Sequence, residues 1–169
     1  MSKLACYFSK NTLLLTLTLE EKLKATNFTV PTDAVATKAR VIITGHGAEG
    51  GEGCAEFCAK KMYIKQNGTQ LGEQLVWKDD CGSNAIPAQP GTWVYNRGNW
   101  CPGEKIRNYD YMLNVTSGST HSVDLDMEPF STSGEASYNI SMQLIHYKAN
   151  SFENDAAVED IISPSKNYL

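Results

Sequence analysis

This chain lacks most of the features that announce a function at first reading. No apolar run reaches membrane-spanning length: Leu13–Leu19 falls far short of about 20 residues, and threonines interrupt it. The N-terminus has no signal-peptide layout from which export can be read. There is no basic excess. Lys and Arg number 15 against 19 Asp and Glu, a net −4 spread along the chain, which argues against a nucleic-acid backbone as partner. No phosphate loop, Cys-x-x-Cys motif or Ser-His-Asp order occurs. The three histidines, His46, His121 and His146, lie far apart and form no His-x-His pair, so copper is rejected and no cofactor is expected. No internal repeat and no convincing long helix is present.

What is there alternates. The 169 residues suit one domain with a tail, long enough to bury roughly two-thirds of the unfolded surface. Residues 1–10 read as a loose start. Period-two patterns then predict strands over Leu13–Leu19, Leu23–Val30, Ala39–Thr44, Glu56–Ile64, Thr69–Trp77, Tyr109–Val115, His121–Met127 and Ala136–Tyr147. Asn67-Gly68 marks a hairpin. The expected fold is all-β: a β-sandwich of about eight antiparallel strands, with two long loops at one end that suit a jelly roll. The jelly roll is assigned to residues 1–150. Residues 151–169 turn acidic and polar and read as a linker or the start of a further domain, with the gene expected to continue past Leu169.

Two stretches stand apart from the alternation. Gly45–Cys58 has five glycines in its first nine residues, which calls for unusual dihedrals or close backbone approach. Trp93–Gly103 lies in a long irregular excursion over 78–103, the kind of loop that is functional or disordered; its tryptophans argue against disorder. These stretches hold Cys54, Cys58 and Cys101, with Cys81 between them. Four cysteines allow three pairings; Cys54–Cys58 with Cys81–Cys101 is favoured, leaving Cys6 over. Disulfides place the chain in an oxidising, extracytoplasmic compartment. The alternative, a zinc site, needs closer spacing in the second pair.

The residues of these loops resemble the second jelly-roll domain of the peptide-N-glycosidase F family, amidases that remove N-glycans from asparagine. The resemblance is carried by Gly45-His46, Gly53-Cys-Ala-Glu-Phe-Cys58, Cys81-Gly-Ser-Asn-Ala85, Gly91-Thr-Trp93 and Arg97-Gly-Asn-Trp-Cys-Pro-Gly103, and it covers roughly Leu19 to Lys148. It implies the jelly-roll fold and the two disulfides as paired above. It implies that Glu56 matches the glutamate this loop presents to the family's interdomain cleft, and that Arg97 matches an arginine near the catalytic aspartate. That aspartate belongs to the family's first jelly roll. Where the family has a glycan-contacting tryptophan this chain has Thr44, so no glycan contact is implied there.

Each candidate also has a plainer reading. Glu56, the candidate catalytic residue, would otherwise be a solvated surface carboxylate; a small disulfide loop instead fixes its direction toward a sugar or a water. Arg97 offers a planar fork to a carboxylate or amide oxygen, or else forms a surface ion pair worth little. Trp100, like Trp93, offers a flat face to a sugar, or packs against the disulfide. His46 joins Arg97 and Trp100 as a substrate-binding candidate. His46, Glu49, Glu52 and Glu56 form a weak cation-binding pattern, read instead as an acidic loop. The expected function is the C-terminal-type domain of an amidase acting on N-glycosylated asparagine. It would be inactive alone, because the catalytic aspartate comes from a partner jelly roll. The alternatives are a non-catalytic module of a larger secreted protein that binds a glycan or a protein surface, and a structural spacer.

Overall fold

A computed structural model of the chain describes residues 3–11 as backbone strand, and 23–48, 54–132 and 135–149 in full. The strand expected over Leu13–Leu19, the carboxylates Glu49 and Glu52, and the tail 151–169 lie outside the described residues.

Eight strands are described: β1 (Lys3–Asn11), β2 (Thr26–Thr29), β3 (Ala34–His46), β4 (Lys60–Gln66), β5 (Thr69–Val76), β6 (Asn108–Leu113), β7 (Thr120–Met127) and β8 (Ser137–Lys148). They form two four-stranded sheets, ordered β1-β8-β3-β6 and β2-β7-β4-β5. Every pairing is antiparallel. The pairs are nested: β4 with β5, β3 with β6, β2 with β7, β1 with β8. A long double hairpin rolled into two sheets has this order, which is the jelly roll.

Alternation explains the packing. On β3, Ala39, Val41 and Ile43 are fully buried while Lys38, Arg40 and Ile42 face outward. Met62 and Ile64 of β4, Val123 and Leu125 of β7, and Tyr138 and Ile140 of β8 join them in one core between the sheets. The β4–β5 turn uses Asn67 (φ 50°) and Gly68 (φ 77°), the left-handed pair that a tight hairpin requires.

Two expectations are corrected. Residues 1–10 are not a loose start: β1 runs antiparallel to β8 from Lys3↔Tyr147 to Asn11↔Asn139, covering an edge that would otherwise expose a row of unpaired backbone groups. The strand expected from Glu56 starts only at Lys60. The Cys54–Cys58 bond, with a Cα–Cα distance of 5.5 Å, bends the chain through Glu56 and closes it into a loop first. The glycine-rich stretch also begins as strand, since Gly45 and His46 are the last residues of β3.

Candidate functional site

The end of β3, the Cys54–Cys58 loop and the segment Tyr95–Cys101 meet at one end of the sandwich. Their backbones lock together. Gly45 N–H donates to Gly98 O (2.9 Å), Gly98 N–H to Glu56 O (2.7 Å), and Glu56 N–H to Gly47 O (3.1 Å). Glycine is required by closeness: a Cβ on Gly45 would lie 2.2 Å from Ala55 O, and one on Gly98 2.9 Å from Gly45 N. The second disulfide, Cys81–Cys101, ties the far side of the same loop.

Glu56 is held at both carboxylate oxygens. Oε1 accepts from Arg97 Nη1 at 2.8 Å and Oε2 from Gly47 N–H at 3.0 Å. Its side chain is 16% exposed and that of Arg97 only 3%, so neither is the solvated surface group of the plainer reading. The rest of the Arg97 fork is directed inward: Nε donates to Tyr95 O at 3.1 Å and Nη2 to Thr92 O. The guanidinium carbon sits 4.6 Å from the Trp100 ring centroid and 5.2 Å from that of Phe57. His46 stacks on Trp100 with centroids 5.2 Å apart, and Tyr95 meets Phe57 edge-on at 6.2 Å. A column therefore runs Tyr95, Phe57, Arg97, Trp100, His46, with cation–π contacts at its middle. Trp100 Nε1 donates to Gly45 O at 2.8 Å, which fixes the indole. His46 Nε2 shares a hydrogen bond with Thr44 Oγ1 at 2.8 Å. Burial holds the His46 imidazole below its ordinary pKa, opposed by the charge of Glu56.

All four predicted site residues, Glu56, Arg97, Trp100 and His46, are thus in one connected assembly, flanked by two concavities. On the His46 side is a groove of about 450 Å³ whose lining includes Thr44, His46, Trp100, Glu104, Asn139 and Ser141. On the Phe57 side is an open hollow of about 590 Å³ formed by Phe57, Trp77, Thr92, Val94, Tyr95 and Asn96. Trp93 is half-buried, with its indole N–H enclosed and unpaired among the described residues.

Two contributors carried no sequence signal. Lys78, 2% exposed, pairs with Asp80 and Glu104, each at 2.6 Å, and exchanges both backbone hydrogen bonds with Arg97. Asn99 takes φ 64° in the loop, and its Nδ2 ties Ile43 O (2.8 Å) to Arg107 O (3.0 Å). Nothing in a Lys between a Trp and two Asp marks it as buried. Asp80, Cys101 and Glu104 have ligand atoms within 4.8 Å of one another, but Cys101 is in a disulfide and the Lys78 ammonium already sits on both carboxylates. The trio is an ion-pair cluster, not a metal set. No helix among the described residues is long and apolar enough to cross a membrane.

The family model for the C-terminal part of peptide-N-glycosidase F matches residues 16–146. A relative from Elizabethkingia miricola, peptide-N(4)-(N-acetyl-beta-D-glucosaminyl)asparagine amidase F, is 31% identical over 129 residues, 70% of this chain and 36% of the relative. The solved structure of recombinant peptide:N-glycanase F superposes with a TM-score of 0.73 at 26% identity, covering 88% of this chain and 53% of that one. PNGase F from Flavobacterium meningosepticum, described as a glycosylasparaginase, gives 0.74 at 26% identity with the same coverage. The chain therefore spans about a third of the length of that amidase and about half that of the solved structures. The family model covers most of the chain and the superposition shows the same fold, and the chain belongs to the peptide-N-glycosidase F family as its C-terminal jelly-roll domain.

Proposed function

We propose that this domain holds the glycan side of an N-glycosylated asparagine for a PNGase F-like amidase. The carrying observation is the Glu56 carboxylate, fixed by Arg97 and Gly47 N–H at the end of the sandwich where His46 and Trp100 line a groove. Glu56 orients substrate or the attacking water, and Arg97 acts through it, since the guanidinium is spent on Glu56 and backbone carbonyls. His46 and Trp100 form the groove wall next to it. Activation of the nucleophile is assigned to an aspartate on a second jelly roll of such an enzyme, so this chain by itself binds and does not hydrolyse. Its setting is extracytoplasmic, where the two disulfides persist.

The test compares the chain with Glu56→Gln, which keeps the side-chain shape. Glycopeptide binding that weakens roughly tenfold or more in the variant, with no glycan released from a denatured N-glycoprotein by mass spectrometry, is expected. Unchanged binding in Glu56→Gln would overturn the role of Glu56. Release of whole glycan with Asn converted to Asp would overturn the assignment of the chemistry to a second domain. A purely glycan-binding module is the second reading. It is favoured by one observation: both Glu56 oxygens are hydrogen-bonded, which suits positioning better than proton transfer.

A further inference from the structure

At the far end of strand β4 from the disulfide loop, a second polar assembly surrounds His121. Its wiring follows from the backbone. Ser122 N–H donates to Asn67 Oδ1 at 2.8 Å, so the Asn67 amide nitrogen is the atom that meets His121 Nδ1, at 3.0 Å. Gln66 Oε1 accepts from Asn114 N–H at 3.0 Å and its Nε2 donates to Asn114 O at 2.7 Å, which puts a second NH2 group 3.4 Å from the same Nδ1. Nδ1 is therefore an acceptor. In the neutral imidazole the proton is then on Nε2, which donates to Ser119 Oγ at 2.7 Å, and the Ser119 hydroxyl donates to Thr116 O. Ser119, His121 and Asn67 have the outline of a nucleophile, a base and an orienting group, but the proton runs the wrong way to activate the serine. What the assembly does is hold Asn67.

Asn67 precedes Gly68, the neighbour that least hinders ring closure by the next backbone nitrogen onto an asparagine side chain. Nothing lies within 4 Å of where a Gly68 Cβ would stand, so the turn is open. We propose that Asn67 is a spontaneous deamidation site kept shut by strand β7. In the reaction Gly68 N gives up its proton and bonds to Asn67 Cγ; the Cγ–Nδ2 bond breaks and ammonia leaves with that proton. Water, the one co-reactant, then opens the imide to aspartate or isoaspartate at position 67. In the folded chain both the oxygen and the nitrogen on Cγ are bonded to β7, and Asn67 N–H donates to Ser122 O at 3.0 Å. Ring closure must break the two side-chain hydrogen bonds and twist a turn fixed at φ 50° and 77°. Its product rewires the assembly. A carboxylate replaces the NH2 group from which Nδ1 accepted, and so draws the imidazole proton to Nδ1. Isoaspartate also lengthens the backbone of a turn that closes Gln66 onto Thr69.

The test uses the full chain with both disulfides intact, incubated at mildly alkaline pH in buffer and in urea. Trypsin releases residues 66–78, and chromatography with mass spectrometry counts aspartate and isoaspartate at position 67. Conversion in the folded chain is expected to be slower than in urea by roughly tenfold or more, the weight of two hydrogen bonds and a closed turn. Equal rates, or no conversion in urea, would overturn the proposal. His121→Phe keeps an aromatic ring against Phe28, 5.9 Å away in the parent, and removes the acceptor of the Asn67 amide. Conversion in that folded variant should rise at least about threefold. A folded His121→Phe that converts no faster than the parent would sink the role of His121. The wiring has its own readout, which needs no variant: nitrogen NMR of the folded parent should place the His121 proton on Nε2, and a proton on Nδ1 would refute the assembly as drawn. In Asn67→Asp that proton should move to Nδ1. None of these outcomes depends on the Glu56 reading, which lies at the other end of the sandwich.

Discussion

Replacing Glu56 by Ala leaves the Arg97 guanidinium inside the protein with its carboxylate removed. Breaking a buried pair by deleting one partner costs about 3–5 kcal/mol. Two features of this site reduce that. Glu56 is 16% exposed, so the pair is not fully desolvated, and Arg97 keeps the Tyr95 and Thr92 carbonyls. About 2–3 kcal/mol remains, a fall in Tm of roughly 4–12 °C for a domain of this size. Arg97→Met removes the cation and leaves Glu56 with Gly47 N–H and access to water. The double variant no longer contains the orphaned cation, so it is less destabilised than the two single variants summed, by at least about 1 kcal/mol. Urea unfolding of the four proteins completes the cycle. Single effects that add within about 0.5 kcal/mol would show that the two side chains do not depend on each other, and the pair could not be what directs Glu56.

Three further outcomes follow from the packing. Gly98→Ala places a Cβ 2.8 Å from Ala55 O and 2.9 Å from Gly45 N, both backbone atoms that cannot yield; a loss of at least 2 kcal/mol by thermal or urea melts is expected, and an unchanged Tm would refute the close approach. Stability falls as pH drops below about 6.5. Burial holds His146, hydrogen-bonded to Thr37 Oγ1 at 2.8 Å, and His46 below their ordinary values, so the unfolded chain takes up protons first. His146→Gln should flatten that slope. Asp110, lowered to about 2 chiefly by its hydrogen bond with Arg40, contributes above its unfolded value near 4 and loses that contribution only as pH falls toward 2. Tyr138→Phe removes a buried hydroxyl that has no partner among the described residues, so Tm should hold or rise, by up to about 1 kcal/mol in stability; a clear loss would mean the hydroxyl is paired.

Much of the strand content was legible because a sheet with one buried face must alternate. Ala39, Val41 and Ile43 against Lys38, Arg40 and Ile42 is that rule written out. The first strand was not legible. Its identity depends on β8 needing an edge partner, a demand made about 130 residues away in sequence. The glycines announced close approach but not between which segments; Gly45, Ala55 and Gly98 are brought together only by folding.

By itself, the sequence determined the class of fold, the turn at Asn67-Gly68, and the loop motifs that place Glu56, Arg97, Trp100 and His46 in one family pattern. Local preferences and short-range spacing suffice for the strand alternation and the turn, because they act between neighbours in the chain; the loop motifs are legible only through their resemblance to the family. The tertiary structure alone decided that Arg97 points inward at Glu56, that Trp100 lies between a guanidinium and an imidazole, and that Lys78 is buried beneath Glu104. Those outcomes turn on desolvation. A charge that reads as a surface group in one dimension becomes a paired, directed group once three distant segments exclude water around it.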